Sequence, residues 1–348
     1  MAKSQYEYVK AFELPDALLP DCWLVVRVDG HRFHAFSAAH NWHKPQDDRQ
    51  IALMNETATR VMQAYPDITL AIGMSDEYSF VLPPHTQLYG RRREKLTSCI
   101  GSLFASTYTL LYSQHFPSPP SYPPHFDART VLYPTAATLH DYLRWRQVDC
   151  HINHLHNLTN THMRRRSSHP TGAAVEAELS ALDSSGKNEL LWREFGVNYN
   201  DEKAVYRKGS IVVWERYSKG DKADELKEAA AEDETAVQQQ TSEQQVAAAL
   251  EEVGAVEGAA RSSPARQRRR CVVLHEDLIT APFFTLHPGI IPPITNTEWK
   301  KQLMTDERKA KKEQYKAAAA LGKKQQQPLQ AQKAATTSQQ SNASTGAG

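Results

Sequence analysis

The sequence predicts an α+β domain whose strands and helices follow the ferredoxin-like order βαββαβ, and three observations support this prediction. A β-branched run, "DCWLVVRVD", ends at an Asp-Gly turn and is typical of a first strand. Two further strand-like runs, "ITLAIGM" and "EYSFVL", are joined through a tight Ser-Asp-Glu turn. Long segments with helical periodicity lie between these runs and after them, and a last strand-like run, "ARTVLYP", completes the unit.

Apolar periodicity indicates both helices of this unit. The first segment, "DDRQIALMNETATRVMQAY", places Met54, Val61 and Met62 on one helical face. The second, "RRREKLTSCIGSLFASTYTLLYSQHF", repeats apolar residues such as Leu96 and Phe104 at helical spacing. Polymerase palm domains, nucleotide cyclases and passive RNA-binding modules all share this order of elements, so the fold alone does not decide the function.

Composition limits the class of protein. The 348 residues carry a formal net charge of +1, so the total charge does not indicate a nucleic-acid binder. The four cysteines are widely spaced without a CxxC pair, which argues against a zinc cluster or a disulfide scaffold and favours a reducing compartment. No run approaches the roughly 20 apolar residues of a membrane span, and the first residues lack an apolar signal core. We therefore expect a soluble intracellular protein with no membrane partner.

The chain divides by composition into five segments. We expect a palm-like catalytic domain at 1–135, added helices at 136–217, a disordered insert at 218–270, a C-terminal segment at 271–294 that docks on the core, and a low-complexity tail at 295–348. The insert is rich in Ala, Glu and Gln and cannot bury enough apolar surface to offset chain entropy. The Arg-rich "SPARQRRR" and the Lys-rich tail are either a nuclear address or solvated segments that assist RNA binding, so the expected location is the nucleus, the cytoplasm or both.

Carboxylates are predicted to meet at one edge of the sheet. In a split βαβ sheet the first strand and the central hairpin are neighbours, which brings Asp29 near Asp76 and Glu77. Mg²⁺ accepts one or two carboxylates together with substrate phosphates, and two such ions about 4 Å apart can activate an attacking oxygen and stabilise a leaving one. Each motif taken singly is more often a solvated turn. Together they favour a metal site that handles phosphates, with Arg27 on the same face as Asp29.

A basic cluster opens the second helix of the unit, in the stretch "GRRREK". Cations at a helix N-terminus are locally unfavourable, so the cluster makes sense if a polyphosphate binds there. A solvated basic turn is the alternative for Arg91 and Arg93. Ahead of the first helix, "HKPQDD" offers Lys44 to phosphates, whereas Asp47 has the alternative role of capping that helix.

A series of motifs resembles the tRNA-histidine guanylyltransferase family. It reads "DCWLVVRVDGHRFHAF", "GMSDEYSFV", "YPPHFDAR", "WRQVDCHINHLHN", "GKNELL", "VNYN" and "YRKGS", in this order over residues 1–217, and "HEDLITAPFFTLHP" is similar to the family's closing segment. The resemblance implies a nucleotidyltransferase that adds a guanosine to the 5′ end of histidine tRNA. ATP activates the 5′ monophosphate as an adenylate, the GTP 3′-hydroxyl attacks and AMP leaves, and pyrophosphate is then removed. It also implies a homotetramer in which one tRNA contacts more than one subunit.

The resemblance also implies roles for individual residues. The catalytic residues would be Asp29, Asp76 and Glu77, and two Mg²⁺ ions would be held by Asp29, the Gly30 carbonyl and Asp76. The nucleotides ATP and GTP would be bound by Arg27, His34, Lys44, Asp47, Ser75, Arg92 and Lys95. The tRNA would be bound in the helical region by His151, Asn153, Asn157, Lys187, Asn188, Tyr199, Asn200, Arg207 and Lys208. Such amide, imidazole and aromatic groups suit splayed bases of an anticodon loop, the alternative being that they cap and bridge helices.

One stretch departs from the family's pattern. After "CHINHLHN" the family continues an apolar helix, whereas this chain reads "LTNTHMRRRSSHP". The departure is either an error in the gene model or a real basic patch. We expect it to place the triple arginine 164–166 where an apolar face is needed, which would affect tetramer packing and tRNA docking.

Three other functions remain open on the residues alone. A nucleotide cyclase or a general 3′-to-5′ repair polymerase would keep the carboxylates without needing "CHINHLHN" and "YRKGS". A ferredoxin-like RNA-binding module would place aromatic residues on the sheet and would not need acidic groups at its edge. A catalytically inactive structural subunit is disfavoured by the intact Asp29 and Asp76.

Overall fold

The computed structural model describes residues 4–166, 171–216, 269–280 and 282–292. Its first seven elements are β1 (Trp23–Gly30), α1 (Phe33–Ala39), α2 (Asp48–Ala64), β2 (Leu70–Met74), β3 (Glu77–Leu82), α3 (Arg93–His115) and β4 (Phe126–Tyr133). These are followed by α4 (Ala136–Arg165), α5 (Gly172–Ser180), α6 (Ser184–Phe195), α7 (Ala204–Lys208), β5 (Ser210–Arg216), β6 (Arg269–Leu274) and α8 (Pro282–Leu286). The disorder predicted for the insert and the tail lies outside the described residues, except that the last two residues of the predicted insert begin β6.

The strands form one antiparallel sheet in the order β4-β1-β3-β2-β5-β6. The first four strands have the ferredoxin-like arrangement, so the predicted fold class is confirmed. Beyond it, β5 pairs with β2 and β6 pairs with β5, which widens the sheet on one side. The predicted C-terminal segment supplies most of β6 together with α8, whose Phe283 and Phe284 are buried against the core.

Helices cover both faces of the sheet. Leu24, Val26 and Val28 of β1 point to a core shared with α2 and α3. The alternate residues Trp23 and Val25 point to a second core, shared with α4 and α8. Since side chains alternate along a strand, Arg27 and Asp29 lie on the α4 side of the sheet. Because of this alternation, α4 is the long helix whose side chains can contact Arg27 and Asp29 at the acidic edge.

Helix α4 continues through the stretch that departs from the family's pattern. Its apolar face includes the buried Leu158 and Met163, whereas the arginines 164–166 are exposed at its C-terminal end. The expectation that they occupy an apolar face is therefore wrong. Cations at the C-terminal end of a helix are favoured by its dipole, and Arg166 also pairs with Glu194 at 3.1 Å. Within the described part of the chain, no helix is long and apolar enough to cross a membrane.

Candidate active site and a second pocket

Three acidic residues meet at one edge of the sheet. Asp29 near the end of β1 lies directly opposite Glu77 at the start of β3. Asp76 occupies the turn between β2 and β3, and its backbone carbonyl accepts a hydrogen bond from the Gly30 N–H at 3.0 Å. The pairing register of β1 with the β2–β3 hairpin therefore brings together the carboxylates that the sequence placed far apart.

Two arginines hold the Glu77 carboxylate. Glu77 is only 8% exposed, and Nη1 of Arg146 on α4 lies 2.9 Å from its Oε1 and 3.1 Å from its Oε2. Nη2 of Arg27 contacts both Glu77 and Asp29. Burial raises the pKa of Glu77, while the charges of Arg146 and Arg27 oppose that rise. Glu77 is thus an organising group within an ion-pair network, and its oxygens are already occupied by donors.

Asp29 and Asp76 are the carboxylates suited to a metal ion. Burial, and after it the negative charge of Asp29, raises the pKa of Asp76 to about 6. Two like charges in a partly buried site favour a cation between them, and hard carboxylate and carbonyl oxygens suit Mg²⁺. A Cβ at Gly30 would lie 2.5 Å from the Phe33 ring, so this position requires glycine. Among the described residues, no group of three or more His, Cys, Asp or Glu side chains is placed to hold a metal ion.

An open cleft of about 680 Å³ lies beside this acidic edge. Its walls are α1, the loop before α2, the N-terminal end of α2 and the turn between β2 and β3. Among the residues predicted to bind nucleotide, the cleft is lined by His34, Lys44, Asp47 and Ser75, and it also contains Asp76. The structure thus gathers most of the predicted nucleotide-binding residues in one place, with Arg27 behind them next to Asp29.

Asp47 organises the loop that carries Lys44. Its carboxylate accepts hydrogen bonds from the backbone N–H of His43 at 2.9 Å and from the backbone N–H of Arg49 at 3.0 Å. The Arg49 guanidinium pairs with the same carboxylate at 2.7 Å. Burial alone would raise the pKa of Asp47, but these donors outweigh burial and hold the pKa at about 2. The capping role considered in the sequence is therefore present in the structure, and it fixes the cleft wall.

Arg92 and Lys95 lie away from the acidic edge of their own chain. The start of α3 lies near the beginning of β1, because Arg91, two residues before α3, donates a hydrogen bond at 3.0 Å to the carbonyl of Cys22, the residue before β1. Asp29 lies six residues after Trp23, the first residue of β1, and is therefore roughly 20 Å from that end of the strand. The N-terminal end of α3 already holds an anion, since Asp16 accepts hydrogen bonds at 2.9 Å from the Arg92 Nε and from the Glu94 N–H. A single chain therefore does not bring these two predicted nucleotide-binding residues into the cleft.

Arg91 is a buried structural residue. It is 4% exposed and donates hydrogen bonds to four backbone carbonyls, those of Leu19, Cys22, Pro84 and Thr86, at 2.6–3.3 Å. The alternative of a solvated turn is wrong for Arg91, whereas Arg93 is exposed as that alternative expects. Arg91 joins the loop before α3 to the start of β1.

A second pocket, of about 610 Å³, lies between α4, α6 and α7. Among the residues predicted to bind tRNA, it is lined by His151, Asn188, Tyr199, Asn200 and Arg207. Trp192, 64% exposed, also lines it and was not singled out in the sequence. Burial lowers the pKa of His151, as does the charge of Arg207, which favours a neutral imidazole. Neutral imidazole, amide and aromatic groups can recognise unstacked bases.

The other predicted tRNA-binding residues lie elsewhere. Asn157 lines the nucleotide cleft together with Asp76, because the long helix α4 extends past the end of the sheet. Asn157, which the sequence assigned to tRNA binding, therefore lies at the nucleotide cleft and not in the second pocket. Asn153 is exposed on α4, and its amide lies 3.3 Å from Asp149. Lys187 and Lys208 are partly buried and do not line the second pocket.

Sequence reasoning missed Arg146. Its only signal was its place within "WRQVDCHINHLHN", a stretch considered for tRNA contacts. Nothing in the local pattern indicates that this arginine turns toward the sheet, because its partner Glu77 lies 69 residues earlier in the chain.

Comparisons with known proteins identify the family of this chain. The family model described as tRNAHis guanylyltransferase matches residues 6–134, and the model of the Thg1 C-terminal domain matches residues 137–280. A probable tRNA(His) guanylyltransferase of Mus musculus is 40% identical over 292 residues, which is 84% of this chain and 89% of that relative. The tRNA(His) guanylyltransferase of Candida glabrata is 48% identical over 217 residues, covering 61% of this chain and 91% of that relative.

Solved structures have the same fold. The crystal structure of the tRNA(His) guanylyltransferase from Saccharomyces cerevisiae matches 60% of this chain and 93% of its own, with 42% identity and a TM-score of 0.57. A bacterial Thg1-like protein in complex with ATP matches 60% of this chain and 85% of its own, at 21% identity and a TM-score of 0.50, and this likeness concerns the fold alone. The resemblance first seen in the motifs is confirmed, and the chain belongs to the tRNAHis guanylyltransferase family.

Proposed function

We propose that this protein adds a guanosine to the 5′ end of histidine tRNA. In this reaction ATP activates the 5′ phosphate as an adenylate, the 3′-hydroxyl of GTP displaces AMP, and pyrophosphate is removed from the new terminus. Membership of the family supports the proposal, as do relatives that carry this activity in their names. The observation that carries it is that the Asp29 and Asp76 carboxylates lie beside a cleft containing Lys44, a natural partner for a triphosphate.

The proposed site takes two Mg²⁺ ions, with Asp29, the Gly30 carbonyl and Asp76 as the protein ligands. When bound, Mg²⁺ would neutralise phosphate charge and lower the pKa of an attacking hydroxyl. The chain's own part is to present hard oxygens at one edge and to keep Glu77 away from them, since Arg146 and Arg27 already occupy that carboxylate.

Lys44 is the cation that would meet the nucleotide phosphates in the cleft. Its Nζ donates to the Ser37 hydroxyl at 2.8 Å, which leaves two further N–H groups for phosphate oxygens. The loop is held in place by Asp47, so Lys44 needs little rearrangement to bind. His34 and Asn157, at the wall of the same cleft, are placed to donate to phosphate or ribose oxygens.

The second pocket would recognise bases of histidine tRNA. His151, Asn200 and Arg207 offer donors and acceptors to base edges, and exposed bases of an anticodon loop are accessible to such groups. The proposal includes a homotetramer in which one tRNA contacts more than one subunit, as the resemblance to the family implies.

The test is an addition assay with the purified full chain. Histidine tRNA carrying a 5′ monophosphate is incubated with ATP, labelled GTP and Mg²⁺, and the 5′ end is examined for one added guanosine. A tRNA with another anticodon is the specificity control, and the Asp76→Ala variant is the catalytic control. Extension of histidine tRNA alone supports the proposal. Equal extension of both tRNAs indicates a general repair polymerase, and a cyclic nucleotide formed without tRNA indicates a cyclase.

A further inference from the structure

Arg146 is a buried arginine that reaches the acidic edge from outside the βαββαβ unit. It is 3% exposed, and its guanidinium lies 3.6 Å from the centre of the Trp145 ring. Nη1 contacts both oxygens of Glu77, and Nη2 pairs with Asp149 at 3.3 Å. Burying an arginine costs free energy unless its partners are well placed, so this position is not that of a casual surface ion pair.

The pair is part of a chain of contacts that ends at the metal-binding edge. Arg146 binds Glu77, Glu77 contacts Arg27, and Arg27 contacts Asp29 through the same Nη2 atom. Within the part of the chain that the structure describes, Arg27 is the only arginine that pairs with Asp29, and it pairs with Glu77 as well. How strongly Arg27 is attracted to Glu77 and how strongly to Asp29 depends on how much of the Glu77 charge Arg146 neutralises.

Removing Arg146 would change how Arg27 is shared between Glu77 and Asp29. Glu77 would remain buried with a single counter-ion, so it would attract Arg27 away from Asp29 or turn toward a cation bound at Asp76. Either movement alters the geometry at Asp29. Displacements of about 1 Å at a reacting centre can cost on the order of 100-fold in rate.

We propose that Arg146 is a positioning residue for the guanylyl transfer: by holding both oxygens of Glu77, it keeps Arg27 shared between Glu77 and Asp29 and fixes the Asp29 carboxylate toward the metal-binding edge. Arg146 does not touch the substrate in this role. Because it concerns the proposed reaction, the role depends on the proposed function, and it adds a residue from α4 to the catalytic apparatus of the sheet edge.

The test compares Arg146→Met and Arg146→Lys with Glu77→Gln and the double variant Arg146→Met/Glu77→Gln. Addition to histidine tRNA is measured at saturating ATP, GTP and tRNA over a range of Mg²⁺ concentrations. Mn²⁺ binding, followed by its electron paramagnetic resonance signal without nucleotide or tRNA, gives a readout independent of activity. Arg60→Met is the matched control, because it also removes an arginine–glutamate pair, here between two residues of α2 that lie outside the chain of contacts at the acidic edge.

We expect Arg146→Met to lower kcat about 100-fold and to weaken Mn²⁺ binding, while the Kd for tRNA stays within about twofold. Arg146→Lys, which keeps a charge, should restore part of both quantities. The double variant should be no worse than Arg146→Met alone, since residues that act through one another are not additive. Arg60→Met should leave kcat unchanged.

A purely structural role for Arg146 would give a different result. Folded Arg146→Met would then keep the wild-type kcat and Mn²⁺ affinity and lose only stability, which overturns the inference. If Arg146→Met fails to fold, Arg146→Lys decides between the two roles by the same measurements. Failure of the wild-type protein itself to extend histidine tRNA would instead refute the proposed function, so the two failures are distinguishable.

Discussion

Replacing Arg91 by methionine should destabilise the protein without weakening nucleotide binding. In the sequence Arg91 belongs to a basic cluster that suits a polyphosphate, but the structure buries its side chain and satisfies it with backbone carbonyls. Methionine fills much of the same volume and cannot donate a hydrogen bond. The substitution therefore isolates the loss of the guanidinium.

The magnitude follows from the four lost hydrogen bonds. The Nη2 atom donates to Leu19 at 2.6 Å and Cys22 at 3.0 Å, and the Nη1 atom donates to Pro84 at 3.0 Å and Thr86 at 3.3 Å. A hydrogen bond from a charged donor contributes about 1.5–3 kcal/mol, but the cost of burying the guanidinium offsets part of the sum. We expect a loss of about 3–4 kcal/mol, a large fraction of the 5–15 kcal/mol typical of a folded protein.

Urea unfolding followed by circular dichroism measures this loss, and ATP affinity is measured on the folded protein by fluorescence titration. The control is Arg93→Met, the same substitution two residues later at an exposed position. It should change the free energy of unfolding by less than about 0.5 kcal/mol. An Arg91→Met protein as stable as wild type but with weakened ATP binding would refute the structural role of Arg91.

Three further predictions concern the cleft and the pocket. Asp29→Ala or Asp76→Ala should reduce both adenylate formation and guanosine addition by more than about 1000-fold in a folded protein, and Mg²⁺-dependent turnover near the wild-type rate would contradict the metal site. His151→Ala should reduce the preference for histidine tRNA over a tRNA with another anticodon and leave the salt dependence of binding nearly unchanged. Asn157→Ala should instead raise the KM for nucleotide. The opposite pattern would contradict the assignment of His151 to tRNA recognition and of Asn157 to nucleotide binding. The pKa of Asp47 is held at about 2, below the ordinary 3.8, so ionised Asp47 stabilises the folded state above about pH 4. This contribution, at most about 2 kcal/mol, is lost as the pH falls through 2. Asp47→Asn should flatten the decline in unfolding free energy over that range, and an unaltered decline in the variant would exclude the assigned role.

The sequence by itself determined the sheet and its acidic edge. Strand alternation places Arg27 and Asp29 on one face, and the short turn carrying Asp76 makes β2 and β3 neighbours. These features depend on residues close together in the chain, so their consequences can be derived from local patterns. The same holds for Asp47, whose cap of α2 involves a partner only two residues away.

The tertiary structure alone decided which distant groups share the site. Asp16 occupies the helix start that the sequence assigned to a polyphosphate, although it lies 76 residues before Arg92. Arg146 reaches Glu77 across 69 residues, and α4 carries Asn157 into the nucleotide cleft. A basic side chain has the same appearance in sequence whether it faces a carboxylate, a carbonyl or a phosphate. Its role depends on what packs against it, because the cost of burying a charge is offset only by partners that the fold brings from elsewhere in the chain.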